Sequence, residues 1–105
     1  MIQWKAILDR VRAAEDRSAA LRGVSTTTAR EWCDYYRRLA EVETELAALW
    51  NEIGAGTPVG SAMHHVLWSA AYDAARLHEQ RAADARASLR SWEQRMSADT
   101  AGGVR

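Results

Sequence analysis

The sequence predicts an all-α protein, a three-helix antiparallel bundle built around a long helical hairpin with a coiled-coil-like seam. Of its 105 residues, 21 are alanine and one is proline, a composition that favours helix. No segment alternates in the manner of a β-strand. An apolar ladder runs from residue 32 to residue 53 in steps of three and four, which is the heptad spacing of a helix that packs along another helix. The ladder comprises Trp32, Tyr35, Leu39, Val42, Leu46, Leu49 and Ile53.

The first predicted helix covers residues 2–22. Apolar and small residues recur on one face in steps of three and four, which indicates a buried stripe. This stripe comprises Trp4, Ile7, Val11, Ala14, Ser18 and Leu21. Gly23 follows directly, and a glycine just past the last periodic residue is typical of a helix end.

The second predicted helix covers residues 28–53 and carries the long ladder. Thr28 and Glu31 have the spacing of a capping box, in which each side chain bonds the backbone amide of the other. The segment 54–60 contains three glycines and the only proline, and it predicts a break between helices.

The third predicted helix covers residues 61–97. Its apolar ladder runs from Met63 to Leu77 and resumes at Ala85, while Arg81 occupies the face between them. Such a slip predicts a stutter that locally unwinds a supercoil. Residues 98–105 lack periodicity, so we expect a single helical domain over 1–97 followed by a disordered tail.

Short connections make successive helices antiparallel neighbours. Aligning their ends places Ile53 level with Ala62 and Trp4 level with Glu45. The first helix would then stop short of the hairpin tip, so we expect the tip to expose apolar side chains that bind another protein. The predicted tip residues are Leu46, Leu49, Trp50, Glu52, Ile53, Met63, Val66, Leu67 and Trp68. At the opposite end the third helix would overhang the second, and the predicted homo-oligomer residues there are Leu89, Trp92 and Met96.

The charge pattern restricts the kinds of partner that the chain can be expected to bind. Formal net charge is zero, which argues against a general nucleic-acid binder, because such proteins present a basic face. Residues 39–75 hold five acidic residues and no lysine or arginine, so we expect an acidic rim at the tip and a partner that offers aliphatic side chains ringed by Lys or Arg.

A single cysteine excludes an intrachain disulfide. The start shows no signal peptide, and no stretch is apolar enough to cross a membrane, so we expect a cytoplasmic protein.

The sequence therefore predicts a small non-catalytic adaptor, accessory or inhibitor protein, of a kind that phages and mobile elements also encode. We expect no catalytic, cofactor-binding or metal-binding residues. Two alternatives stay open: a nucleic-acid-associated regulator whose oligomer pools the arginines of the first and third helices, and a metal-dependent helical-bundle enzyme around His64 and His65. The second alternative lacks a further ligand at the i+3 or i+4 spacing of helical metal sites.

Overall fold

The computed structural model describes residues 3–58, 60 and 62–103, and all regular structure in these ranges is helical. Helix α1 covers Trp4–Arg22, α2 covers Ala29–Gly56 and α3 covers Ala62–Gly103. Together they form a rod with extents of 68 × 20 × 18 Å. The predicted fold class, an all-α bundle of three helices, is confirmed.

Helix α1 buries four of the six residues of the predicted stripe, while Trp4 is exposed and Ser18 is half-buried. Ile7, Val11, Ala14 and Leu21 are buried, and the chain leaves the helix at Gly23, whose amide donates to the carbonyl of Ala20 at 3.2 Å. Residue 2, the predicted first residue of the helix, lies outside the described residues.

Helix α2 begins with the predicted capping box. The amide of Glu31 donates to the Thr28 hydroxyl at 3.1 Å, and the amide of Thr28 donates to the Glu31 carboxylate at 3.2 Å. Hydrogen bonds from Thr28 and Thr27 lower the pKa of Glu31 below its usual 4.5. At its other end α2 continues three residues past the predicted stop, because Gly54 is not a break but a buried helical residue packed against Tyr72.

Helix α3 is one continuous helix that ends six residues later than predicted. The expectation of a disordered tail is therefore wrong for residues 98–103, which are helical. The sequence 98–101 contains no helix breaker, and alanine keeps the propensity high until the glycines at 102 and 103. Residues 61, 104 and 105, also part of these predictions, lie outside the described residues.

The seam between α2 and α3 is made of small side chains. Helix α2 contributes residues spaced seven apart, which are Cys33, Ala40, Ala47 and Gly54. Helix α3 contributes four buried alanines, together with His78 and three larger residues, and all of them follow one another in steps of three and four. The full set is Ala71, Ala75, His78, Ala82, Ala85, Leu89, Trp92 and Met96. The predicted stutter is thus wrong. Leu77, assigned to the predicted ladder, is half exposed instead.

The register of the helices also differs from the prediction. Glu52 pairs with Arg10 and Glu45 pairs with Arg17, so α1 lies along the half of α2 that leads to the tip. The segment 23–28 makes this shift possible, because six residues can span roughly 20 Å when extended. The three-helix section therefore lies at the tip and the two-helix section at the opposite end, the reverse of the expected arrangement.

Candidate protein-interaction surface

The predicted tip residues on α2 belong to the core. Leu46 and Leu49 are 2% and 1% exposed, and Ile53 is buried beside them. They pack with Ile7, Val11 and Ala14 of α1, and Trp50 packs against the same cluster. Glu52 makes an ion pair with Arg10 at 3.7 Å. These side chains hold the three helices together, so the expected two-helix tip is wrong.

The predicted tip residues on α3 are exposed. Met63 is 61% exposed, and Val66, Leu67 and Trp68 are also among the most exposed large apolar residues. They lie on the first two turns of α3, N-terminal to the point where Tyr72 meets Gly54 near the end of α2. Trp68 stacks on His65 and contacts the edge of Tyr72, which places it on one flank of these turns.

The predicted oligomer residues pack within the chain. The rings of Trp92 and Trp32 stack with centroids 5.9 Å apart, and the thiol of Cys33 donates to the sulfur of Met96 at 3.4 Å. Leu89 is half-buried on the same seam. The overhang that suggested these residues for oligomerisation does not exist, because the shifted register lays the end of α3 on the start of α2.

Most carboxylates of the expected acidic rim have a partner within the chain. Three of the five acidic residues in the segment 39–75 make ion pairs with arginines, and Glu43 contacts His78. The arginine pairs are Glu45 with Arg17, Glu52 with Arg10, and Asp73 with Arg76. The expectation of a partner ringed by Lys or Arg therefore loses its basis.

A second apolar stripe on α3 is formed by residues that each precede a seam position by one residue. This stripe therefore lies about 100° around the helix axis from the seam with α2. It runs in heptad steps through Leu67, Ala70, Ala74 and Leu77, and it continues to Arg81. Arg81 lines a cavity of about 370 Å³ together with Ser18 and Arg22 of α1. The stripe therefore faces the side of the rod on which α1 lies.

Helix α1 carries a matching stripe. Trp4 and Leu8 lie fourteen residues, close to four full turns, before Ser18 and Arg22, so all four lie on the side of α1 that faces α3. Yet no Cα atom of α1 lies within 8 Å of one of α3, and Leu8 is 51% exposed. The two helices thus leave an uncovered apolar surface between them. This surface, named here the α1–α3 face, comprises Trp4, Leu8, Leu67, Ala70 and Leu77.

The sequence carries a signal for the α1–α3 face. Leu67, Ala70 and Leu77 follow a clear heptad pattern and belong to the apolar ladder predicted for the third helix. The true seam residues are alanines, and alanine carries little weight in a hydrophobic pattern.

The described residues contain no group of three His, Cys, Asp or Glu side chains placed to hold a metal ion. Cys33 is buried in the two-helix section of the rod, beside an open cavity of about 700 Å³. Three of the arginines of α1 and α3 on which the nucleic-acid alternative depends pair with acidic side chains, and they are Arg10, Arg17 and Arg76.

Within the described ranges, none of the helices combines the length and hydropathy needed to span a membrane. Comparisons with protein families, with curated proteins and with solved structures find no match to this chain.

Proposed function

We propose that this chain is a non-catalytic protein-interaction module whose α1–α3 face binds a second copy of the same chain. The observation that carries the proposal is the exposure of Leu8 and Leu77 at 51% and 49% on two helices that face the same side of the rod. Contiguous exposed apolar surface of this kind usually marks an interface.

The total exposed area also supports association. The chain exposes 7283 Å². A compact monomer of 11.7 kDa exposes roughly 5,900 Å² by the usual scaling of surface with mass. The excess of about 1,400 Å² exceeds the roughly 800 Å² that each partner contributes to a standard interface.

A second copy suits this surface because the charges beside it are balanced. Lys5, Asp9 and Arg12 lie on the outward side of α1, where Lys5 pairs with Asp9 at 2.9 Å, and Asp73 and Asp84 lie on the outward side of α3. One surface thus carries both the basic and the acidic groups that an identical surface could complement. The adaptor, accessory or inhibitor role and the cytoplasmic location stay predictions.

Light scattering on the purified full chain tests the proposal. We expect a mass near twice 11.7 kDa at micromolar concentration. Leu77→Glu places a charge in the centre of the face and should return the chain to a monomer. Val24→Glu is the matched control, because Val24 is equally exposed but lies in the α1–α2 connection.

Two results would count against the proposal. One is a parent chain that stays monomeric up to roughly 100 μM, well above the Kd range of specific dimers. The other is a dimer that Val24→Glu disrupts as strongly as Leu77→Glu does. Far-ultraviolet circular dichroism of each variant checks that the helices are intact.

A further inference from the structure

We propose that the cavity lined by Arg22 of α1 and Arg81 of α3 binds a phosphate group, either free phosphate or the phosphate of a small monoester. The cavity lies within one copy of the chain, so binding does not require the self-association proposed above. Three helices bring cationic and hydroxyl side chains together there, and these groups have no partner in the described part of the chain.

All three helices line the cavity. Arg22 lies one turn after Ser18 on α1, and Arg81 lies two turns before Ser88 on α3. The volume of about 370 Å³ falls within the roughly 300–1,000 Å³ of small-molecule sites. A ligand held there would bridge α1 and α3, whose Cα atoms do not come within 8 Å of one another in the described helices.

The two arginines are the main reason to expect an anion. Arg22 and Arg81 are exposed, and neither makes an ion pair or hydrogen bond with the part of the chain that the structure describes. By contrast, Arg17 and Arg76 on the same two helices have acidic partners. Guanidinium groups bind phosphate through paired charge-assisted hydrogen bonds, which are stronger than hydrogen bonds between neutral groups.

Two carboxylates also line the cavity, and both have partners of their own. Glu43 is buried, and its Oε2 meets Nδ1 of His78 in the seam between α2 and α3. Asp84 is exposed and accepts a hydrogen bond from the Gln80 amide at 3.0 Å. Because solvent screens an exposed charge, Asp84 should weaken the binding of an anion without preventing it.

Hydroxyl groups supply neutral donors. Ser18, Tyr36 and Ser88 line the cavity from α1, α2 and α3, and their hydroxyls make no hydrogen bond within the described ranges. The ring of Tyr36 stacks on Trp32 with centroids 5.8 Å apart, so its position is fixed before a ligand binds. Donors on three helices suit the several oxygens of a phosphate better than the two coplanar oxygens of a carboxylate.

A titration of the full chain, followed by amide chemical shifts at constant ionic strength, tests the site. We expect Arg22→Gln and Arg81→Gln each to raise the dissociation constant for inorganic phosphate at least about tenfold, as the loss of a charge-assisted hydrogen bond does. Asp84→Asn should lower that constant about two- to fivefold, because it removes an exposed like charge. Arg90→Gln is the matched control, since Arg90 is an exposed α3 arginine that does not line the cavity.

A second probe distinguishes the two sources of the phosphate group. Phenyl phosphate adds an apolar body that can contact Leu39 and Ala85, which also line the cavity. Tighter binding of phenyl phosphate than of inorganic phosphate identifies a small monoester as the ligand, and equal binding identifies free phosphate. Acetate at the same ionic strength should bind at least about tenfold more weakly than either, because it offers fewer acceptor oxygens and less charge.

Three results would overturn the site. The first is the absence of a saturable shift with either phosphate probe up to roughly 10 mM, which is beyond the range of specific binding. The second is a dissociation constant that Arg90→Gln changes as much as Arg22→Gln and Arg81→Gln do. The third is acetate binding as tight as phosphate binding. Each leaves the proposed self-association in place, because light scattering measures that property without phosphate, and a monomeric chain would equally leave the phosphate site intact.

Discussion

The ring of Tyr72 lies against Gly54, so close that a Cβ atom on Gly54 would come within 2.9 Å of the ring carbon Cε2. Trp68 also contacts the ring of Tyr72, with centroids 5.0 Å apart, so that ring is packed between neighbours and has little room to move. We expect Gly54→Ala to lower the free energy of unfolding by about 1–3 kcal/mol, as overpacking does in a close-packed core. This outcome opposes the helix-propensity gain of roughly 1 kcal/mol that glycine-to-alanine changes otherwise bring. Urea denaturation of parent and variant measures the difference.

Gly23→Ala provides the control for that prediction. A Cβ at Gly23 would have the Ala20 carbonyl oxygen as its nearest neighbour, at an ordinary 3.7 Å, and the backbone there is right-handed with φ of −90°. We expect this variant to be at least as stable as the parent. Equal denaturation midpoints for Gly54→Ala and Gly23→Ala would contradict the close packing of Tyr72.

The sequence predicts the helices well because each end carries a local signal. The capping box at Thr28 and the glycine at position 23 act within one turn of the chain. In the structure α2 begins directly after Thr28 and α1 ends directly before Gly23. Gly54 shows the limit of that reasoning. A glycine needed for close helix packing and a glycine that ends a helix are indistinguishable in one sequence, since the difference lies in what a neighbouring helix places beside them.

The arrangement of the helices was much harder to predict, for two physical reasons. Aligning helix ends assumes that each connection is as short as possible, whereas the extended segment 23–28 lets α1 slide towards the tip. The seam on α3 is formed by alanines such as Ala71 and Ala82, which resemble the many surface alanines of this chain. The larger residues Leu67 and Leu77 therefore dominated the pattern, although they face away from α2. The expectation of a two-helix tip is wrong for the same reasons.

The contact between Glu43 and His78 is buried within the small-residue seam of α2 and α3. Their side chains are only 5% and 15% exposed, and Nδ1 of the imidazole meets Oε2 of the carboxylate. We expect Glu43→Leu or His78→Leu alone to cost about 3 kcal/mol, because each leaves a polar partner buried without its hydrogen bond. The double variant should recover at least ~1 kcal/mol relative to the sum of the single changes, since contacting residues couple.

A thermodynamic cycle from urea denaturation of the four proteins measures this coupling. The contact between Asn51 and Glu79 joins the same two helices but is exposed, and it serves as the comparison. Glu79→Ala should change the stability by less than about 0.5 kcal/mol, as surface substitutions usually do. Strictly additive effects at Glu43 and His78 would show that the two groups do not depend on each other.

The cap of α2 should make the stability of this end depend on pH. The hydrogen bonds from Thr28 and Thr27 stabilise the Glu31 carboxylate and lower its pKa below the usual 4.5. A depressed pKa in the folded state gives stability that is present above that usual value and is lost as pH falls through the folded pKa. The melting temperature of the parent should therefore exceed that of Glu31→Gln most at neutral pH, and the difference should shrink in acid. Glu15→Gln, at an exposed position outside any cap, is the control and should show no such trend.

The two tryptophans at opposite ends of α3 should differ in what they contribute to stability. Trp92 is half-buried, its ring lies within 8° of parallel to Trp32, and the Arg95 guanidinium lies 4.7 Å above it. Because α1 does not reach this end, the stack is a main source of packing there. We expect Trp92→Ala to lower the free energy of unfolding by about 2–4 kcal/mol. Trp68 is 42% exposed, so Trp68→Ala should cost less than about 1.5 kcal/mol. Urea denaturation of both variants at one protein concentration shows which substitution lowers the free energy of unfolding more. A larger decrease for Trp68→Ala would mean that the start of α3, rather than the two-helix end, limits the stability of the rod.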